Sequence, residues 1–314
     1  MAKKKPAEGA EPTGVLALLN AVAQRWRTLA VLLLVVAAAP LSERAWRSFE
    51  PRIASQPQYL VRPENVSMTP NPEWVTADVL GDVLRSSGLT QQLSVLDRRA
   101  PDLVQDAFGV HPWVASVDRV EKRYPPALHV EVTYRKPVAA IEMPGQGGSE
   151  LLPIDRLGTL LPAADVPEIR RRYLPRIRGI VGRPPVGQVW TDPRVTGAAK
   201  LAHRLAAKWE ELHLVDILPS ARPEIRAGQR YYVYDLITRG GTRIVWGAAP
   251  DAGPQREDPF ENKLNRLLAY VRQNGPLDSV LGPQSIEVRS TLLVTARTAK
   301  LPADPEDEEA TKKR

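Results

Sequence analysis

The stretch from Phe108 to Ala139 reads FGVHPWVASVDRVEKRYPPALHVEVTYRKPVA and decides the fold of the region around it. Apolar and polar residues alternate over 114–120. A second alternation places four apolar or aromatic side chains on one face: Leu128, Val130, Val132 and Tyr134. Alternation of this kind is typical of half-buried strands, because successive side chains point to opposite faces. Since Pro125 and Pro126 force a turn between the two runs, the stretch predicts an antiparallel β-hairpin.

Two helices are predicted on the N-terminal side of this hairpin. The segment 72–84 spaces its apolar residues for one helical face, and the segment 100–108 combines an apolar stripe with a proline in its first turn. A short strand is expected at 65–68. One strand, two helices and a hairpin together make an α+β domain, which we place at residues 59–137.

The remainder of the folded chain, residues 138–300, is predicted to form a mixed β-rich domain with two helices. The helices are expected at 195–212 and 259–271, where leucines recur at helical spacing. A tight hairpin is predicted around Arg239-Gly240-Gly241, since glycine supplies the positive φ that such a turn needs. The charged segment 301–314 is expected to be disordered.

An uncharged run near the N-terminus, residues 28–42, predicts a membrane anchor. With the aromatic flanks Trp26 and Trp46 it is long enough to reach both interfaces, and we place the transmembrane helix at 28–46. Basic residues gather before it: Lys3, Lys4, Lys5, Arg25 and Arg27. The positive-inside rule therefore predicts a cytoplasmic tail at 1–27, a tether at 47–58 and an extracytoplasmic bulk.

Other interpretations of the apolar run stay open. The small residues 37–39 would suit a cleaved signal peptide, although Pro40 lies where cleavage would occur and the leading region is long. A run of 15 residues is also compatible with a buried core helix. In that case the chain would be a cytoplasmic globular protein.

The composition excludes several classes of site. The chain has no cysteine, which rules out disulfides, thiolate metal sites and a cysteine nucleophile. The net charge is +7, yet the arginines are scattered over every segment rather than gathered with stacking aromatics, so we expect no nucleic-acid binding.

No catalytic motif is present. None of the four histidines stands at a metal-ligand spacing from another. No nucleophile elbow, phosphate loop or dinucleotide fingerprint occurs either. Asp155, Asp216 and Asp235 are single carboxylates in strand contexts. We therefore predict that the chain is not an enzyme and has no cofactor, no metal and no small-molecule substrate.

Several short motifs in order along the chain resemble the FtsQ/DivIB family of cell-division proteins. In the hairpin region these are Pro-Trp-Val at 112–114, a basic-aromatic-Pro turn at 123–125 and Arg-Lys-Pro-Val-Ala at 135–139. Further along, Leu-Pro-Arg-Ile-Arg-Gly at 174–179 and Ile-Glu-Val-Arg at 286–289 resemble motifs of the family's second domain. The arginine run 170–172 and the proline-rich 183–193 depart from the pattern and look like insertions.

The resemblance implies a single-pass inner-membrane protein with a POTRA-type domain at 59–137 and an FtsQ-like β domain at 138–300. It also implies a role in septation as a scaffold that binds other membrane-bound division proteins, among them small coiled-coil proteins of the FtsB/FtsL type. Partner strands would add to sheet edges. Two candidate surfaces follow: the C-terminal strands with Ile286, Val288, Leu292 and Val294, and the turn with Lys122, Arg123, Tyr124 and Pro125.

A POTRA-bearing component of protein transport or envelope assembly is the alternative function. Such proteins repeat the module or add a membrane barrel. The sequence indicates one module only, which favours the division scaffold.

Overall fold

The computed structural model describes residues 53–89, 93–145, 148–226, 228–254, 257–279 and 282–297, together with 25, 26, 28, 30–38, 40, 42, 43 and 49. These residues have the α+β architecture that the sequence predicts, with three separate sheets and helices packed on the two larger ones. The predicted tail at 301–314 and nearly all of the predicted cytoplasmic tail lie outside the described residues.

Only part of the predicted anchor is described. Residues 30–38 are helical, and their large apolar side chains are exposed. Over the described ranges, no helix combines the length and the hydropathy that a bilayer crossing requires. Because several positions of the segment 28–46 lie outside those ranges, the anchor stays a prediction.

The first sheet has three strands and lies within residues 59–137. Its central strand pairs in parallel with the first strand and antiparallel with the second, giving the order β1-β3-β2. The predicted sequence of one strand, two helices and a hairpin is confirmed. The elements are β1 (Val66–Met68), α1 (Val79–Ser87), α2 (Ala100–Gly109), β2 (Val114–Arg123) and β3 (Ala127–Tyr134).

The first helix begins later than the apolar spacing predicts. Asp78 is its N-cap, since the Oδ1 of Asp78 accepts the backbone N–H of Gly81 at 3.0 Å, and α1 therefore starts at Val79 rather than at residue 72. Trp74 belongs to the preceding loop, where its Nε1 donates to the carbonyl of Arg135 at 3.0 Å. At the other end Gly88, with φ 62°, stops the helix as predicted.

Eight strands form the second sheet, in the order β13-β12-β11-β10-β7-β6-β4-β5. The predicted hairpin around Gly241 is confirmed, with a φ of 83° at that glycine. A separate two-stranded hairpin, β8 (Glu224–Arg226) with β9 (Gln229–Tyr231), projects from the connection between β7 and β10. The strands of the large sheet are β4 (Ala139–Gly145), β5 (Gly148–Ile154), β6 (Arg176–Ile177), β7 (Leu214–Pro219), β10 (Val233–Thr238), β11 (Arg243–Ala248), β12 (Pro283–Glu287) and β13 (Leu293–Ala296).

Two long helices accompany this sheet, as predicted, and a short additional helix precedes them in the chain. The arginine run that looks like an insertion is helical, and the helix predicted at 195–212 ends at Leu205, where a 3-10 turn (Ala206–Lys208) follows. The α-helices are α3 (Glu168–Tyr173), α4 (Pro193–Leu205) and α5 (Phe260–Asn274). Further 3-10 turns lie at Pro57–Tyr59, Pro63–Asn65 and Ala163–Asp165.

Each of the two larger sheets has its own hydrophobic core, and one segment joins the cores. Residues 160–166 follow β5 in the second sheet, and Leu160 packs in the core of that sheet. Leu161 and Val166, in contrast, pack among the buried side chains of the first sheet and its helices. The two units are thus held together by shared apolar packing.

Candidate partner-binding edge

The outermost strand of the large sheet is β13, and its far edge is open. β13 pairs with β12 on one side and with no described strand on the other. Side chains on both faces are exposed: Leu292 at 39%, Leu293 at 59% and Val294 at 43%. An open strand edge presents unpaired N–H and C=O groups, to which another strand can add. The exposed apolar side chains would give such a strand a surface to pack on.

Two residues predicted to line this edge do not lie on it. Strand β12 is paired on both sides, with β11 and with β13. Ile286 and Val288 are fully buried in the core of the large sheet. The prediction is corrected accordingly: these two side chains hold β12 in place, and the exposed positions are those of β13 and Leu292 before it.

The turn between β12 and β13 is fixed to α5 and its preceding loop. Arg266 on α5 donates to the carbonyl of Val288 at 2.6 Å and forms an ion pair with Asp258. The backbone N–H of Asp258 donates to the carbonyl of Arg289 at 3.2 Å. Val288 and Arg289 directly follow β12, so these contacts fix the start of the turn that leads to the outer strand.

A second tie anchors the far end of β13. The Nη2 of Arg297 donates to the carbonyl of Gly240 at 2.9 Å, at the β10–β11 turn. The exposed edge is thus a strand of four residues, held at its far end by Arg297 and connected to β12 by a turn whose start is fixed. A short edge limits nonspecific strand pairing and suits one defined partner segment.

The opposite edge of the sheet is less open. Strand β5 lies there, and the Nη1 of Arg171 on α3 donates to the carbonyl of Leu151 at 3.2 Å. The backbone N–H of Leu161 also donates to the carbonyl of Pro153, at 2.9 Å. Because two of its carbonyls are already used, β5 is a poorer acceptor for an incoming strand than β13.

The second predicted surface belongs to the first sheet, and the fold does not bring it to β13. Lys122 and Arg123 end β2, and Tyr124 and Pro125 form the turn to β3. The Nζ of Lys122 donates to the carbonyl of Asp97 at 2.5 Å, and Arg123 pairs with Glu121 at 2.9 Å. Tyr124 is 80% exposed. The two candidate surfaces are therefore separate sites.

A buried ion pair that the sequence analysis missed lies beside α5. The ammonium group of Lys263 contacts the carboxylate of Glu257, and both side chains are buried. The Oε1 of Glu257 also accepts the backbone N–H of Ala248 at 2.7 Å. Burial lowers the pKa of Lys263 below its usual value, against the opposing effect of Glu257. The available signal was a lysine four residues before Leu267, on the apolar face of α5.

The residues weighed for chemistry stay apart. Each of the three aspartates forms an ion pair with a different arginine: Asp155 with Arg135, Asp216 with Arg178 and Asp235 with Arg243. Within the described ranges, no three His, Cys, Asp or Glu side chains come together as a metal site would require.

No protein-family model matches the chain, and no curated protein matches it significantly.

Proposed function

We propose that this chain is a membrane-anchored extracytoplasmic scaffold of the cell-division machinery, related to the FtsQ/DivIB proteins. In this proposal residues 59–137 form a POTRA-type domain and residues 138–300 an FtsQ-like β domain. The protein has no catalytic activity and works by binding other membrane-bound division proteins.

The observation that carries the proposal is the open edge of β13. It lies at the end of an eight-stranded sheet and exposes Leu293 and Val294, with Leu292 exposed just before it. Arg297 holds its far end, and Arg266 fixes the start of the turn that precedes it. A strand from a partner of the FtsB/FtsL type would extend the sheet by main-chain hydrogen bonds, and its alternate side chains would pack on these residues.

The order of elements in the first sheet also supports the proposal. A strand, two helices and a hairpin with the strand order β1-β3-β2 is the arrangement expected of a POTRA-type domain. The motifs around Trp113 and Arg135, on which the resemblance rests, lie at the start of β2 and just after β3.

Capture of partners by the full chain tests the proposed edge. The chain is solubilised from the organism's own membranes and its bound proteins are identified. Val294→Lys places a charge on the edge, which opposes pairing with an apolar strand. We expect the unmodified chain to recover small single-span coiled-coil proteins and Val294→Lys to recover about tenfold less, because loss of a well-packed interface contact costs roughly 1.4 kcal/mol or more.

A matched control is available on the projecting hairpin. Ile225 in β8 is 67% exposed, so Ile225→Lys adds the same charge at an exposed apolar position on another sheet. Equal capture by all three proteins would contradict the β13 edge. Recovery of unfolded outer-membrane or secreted chains in place of coiled-coil proteins would support the transport alternative.

The anchor requires a separate test. Alkaline phosphatase fused after Phe49 is active only if the fusion point has left the cytoplasm. An active fusion that stays in the membrane fraction is the expected result. An inactive fusion would support the interpretation of the apolar run as a core helix.

A further inference from the structure

One end of the first sheet carries a basic and aromatic surface, which we call the anchor-side surface: Arg62, Leu96, Arg98, Arg99, Lys122, Arg123 and Tyr124. We propose that this surface rests on anionic phospholipid headgroups of the membrane that holds the anchor. The inference depends on the proposed function in one respect, since it requires residues 28–46 to be a membrane anchor.

The chain reaches the first domain at this surface. Residues 59–61 lie beside the loop 93–95: the N–H of Val61 donates to the carbonyl of Leu93 at 2.8 Å, and the N–H of Val95 donates to the carbonyl of Tyr59 at 3.0 Å. The last residues before the domain are therefore fixed next to this loop. A tether of about a dozen residues separates them from the predicted anchor, so the domain stays close to the bilayer.

The turn 122–126 lies at the same end. The Nζ of Lys122 reaches the carbonyl of Asp97, just past that loop, and the Nδ2 of Asn65 donates to the carbonyl of Pro126 at 3.0 Å. Leu128 is the register partner of both Val66 and Lys122. The start of β1, the end of β2 and the start of β3 therefore meet where the chain arrives.

The second sheet attaches to the opposite end of the same strands. Trp113 and Arg135, at the start of β2 and the end of β3, contact Asp165 and Asp155 of the second unit. The anchor-side surface consequently faces away from the second sheet. With the anchor attached on this side, it is the surface of the domain that is turned toward the membrane.

The charges on this surface are predominantly basic. Five cationic side chains face three acidic ones, Glu64, Asp97 and Glu121, which gives a net charge of +2. Glu121 is paired with Arg119 and Arg123, and the Oδ1 of Asp97 accepts the N–H of Arg99 at 2.8 Å. Over the described ranges Arg98 and Arg99 form no ion pair. Their positive charge is therefore available for an external anion.

Basic side chains beside an exposed tyrosine fit a lipid surface better than a protein partner. Tyrosine is favoured at the membrane interface, where its ring and hydroxyl meet apolar and polar surroundings, and clustered lysine and arginine bind anionic headgroups. A protein interface would instead have an apolar centre depleted of charge. Here Tyr124 and Leu96 are single apolar contacts set among cations.

A fluorescent label at a single cysteine tests the contact, because the chain has no cysteine of its own. The full chain is labelled at Glu64→Cys, on the anchor-side surface, or at Val110→Cys, which is 81% exposed just before Trp113 at the opposite end. Each protein is placed in nanodiscs of pure phosphatidylcholine or of phosphatidylcholine with phosphatidylglycerol. A nitroxide on the lipid headgroups quenches a label that touches them.

We expect the label at position 64 to be quenched at least about two-fold more in anionic than in neutral nanodiscs, because the attraction requires headgroup charge. The combined substitution Arg98→Gln, Arg99→Gln, Lys122→Gln and Arg123→Gln should remove this difference. These side chains are exposed, so the fold is expected to persist. The label at position 110 should show little quenching in either lipid.

Three results would overturn the proposal. Equal quenching in both lipids, or a lipid difference that survives the combined substitution, would show that these cations do not bind headgroups. If the combined substitution leaves the quenching unchanged but abolishes the capture of membrane proteins, the surface binds a protein instead. Resistance of the full chain to alkaline extraction from membranes tests the anchor independently, so failure of the anchor and failure of the headgroup contact are distinguishable.

Discussion

The indole Nε1 of Trp113 donates a hydrogen bond to the Oδ2 of Asp165 at 2.9 Å, and this bond joins the two main units of the protein. Trp113 is fully buried just before β2, whereas Asp165 lies in the segment that follows β5 of the other sheet. The backbone carbonyl of Asp165 also accepts the hydroxyl of Thr76, at 2.5 Å. One residue of the second unit therefore fixes both the hairpin and the loop before α1.

Replacing Asp165 should loosen this connection. Asp165→Ala leaves the buried indole N–H without an acceptor, which costs about 1–3 kcal/mol of unfolding free energy. Asp165→Asn keeps an acceptor oxygen and should cost less. Urea unfolding followed by tryptophan fluorescence measures both. Asp106→Ala, at an exposed position on α2, is the control, and an equal loss in Asp165→Ala and this control would contradict the assigned role.

The two partners of the ion pair between Arg135 and Asp155 should contribute unequally to the free energy of unfolding. Arg135 contacts the Oδ2 of Asp155 at 2.8 Å, and the Oδ1 of Asp155 accepts the N–H groups of Leu157 and Thr159 at 2.9 and 2.8 Å. Asp155→Ala removes all three contacts, so we expect a loss of about 3–5 kcal/mol. Arg135→Met leaves the carboxylate with its two N–H donors and should cost less. Thermal or urea unfolding measures both losses of stability. A larger loss in Arg135→Met than in Asp155→Ala would contradict the prediction.

Gly197 is predicted to tolerate no side chain. It lies on α4 against the hydroxyl end of Tyr234, and a Cβ there would clash with the tyrosine oxygen. Alanine normally stabilises a helix interior relative to glycine. Here Gly197→Ala should instead cost about 1–3 kcal/mol because of overpacking. Adding Tyr234→Phe removes the oxygen and should recover part of the loss in a double-mutant cycle, while additive losses would contradict the contact.

The buried pair of Lys263 and Glu257 predicts a pH dependence. The folded pKa of Lys263 is lowered, so between that value and the unfolded value near 10.5 the unfolded chain binds more protons. Stability contributed by this group should therefore rise with pH over that window and be lost as the pH falls through the folded pKa. We expect unfolding free energies measured over the pH range directly below 10.5 to rise more steeply with pH in the unmodified chain than in Lys263→Met.

The same variants separate charge from packing. Lys263→Met alone leaves a buried carboxylate without its cation and should cost about 3–5 kcal/mol at neutral pH. Adding Glu257→Gln removes that charge and keeps an oxygen for the N–H of Ala248, so most of the loss should be recovered. If the double variant is as unstable as Lys263→Met, the loss arises from packing and the assigned ionic role is wrong.

Local patterns in the sequence predicted the local structure well. The period-two runs around Pro125 gave the hairpin, and Gly241 gave the tight turn, because both depend on residues close in sequence. The start of α1 was wrong because apolar spacing before Asp78 suggested a longer helix, although Asp78 is itself an N-cap signal. The inner position of β12 could not be predicted, since strand order depends on contacts between distant segments.

The candidate site was predicted in part for the same reason. Leu292 and Val294 lie on the open edge, whereas Ile286 and Val288 are core residues of the neighbouring strand. A short apolar strand has the same sequence pattern at an edge as in a sheet interior, so only the fold separates the two cases. The roles of Asp155 and Lys263 depend on partners distant in space from any motif.

The position of β13 gives the molecule an order of assembly. Of the described strands, β13 comes last in sequence, and it pairs only with β12, whose own place in the sheet depends on α5 and β11. A polypeptide emerges from the ribosome with its N-terminus first. The edge proposed to receive a partner is therefore completed only after the other described strands have been synthesised, and a partially synthesised chain would have no place for that partner to bind.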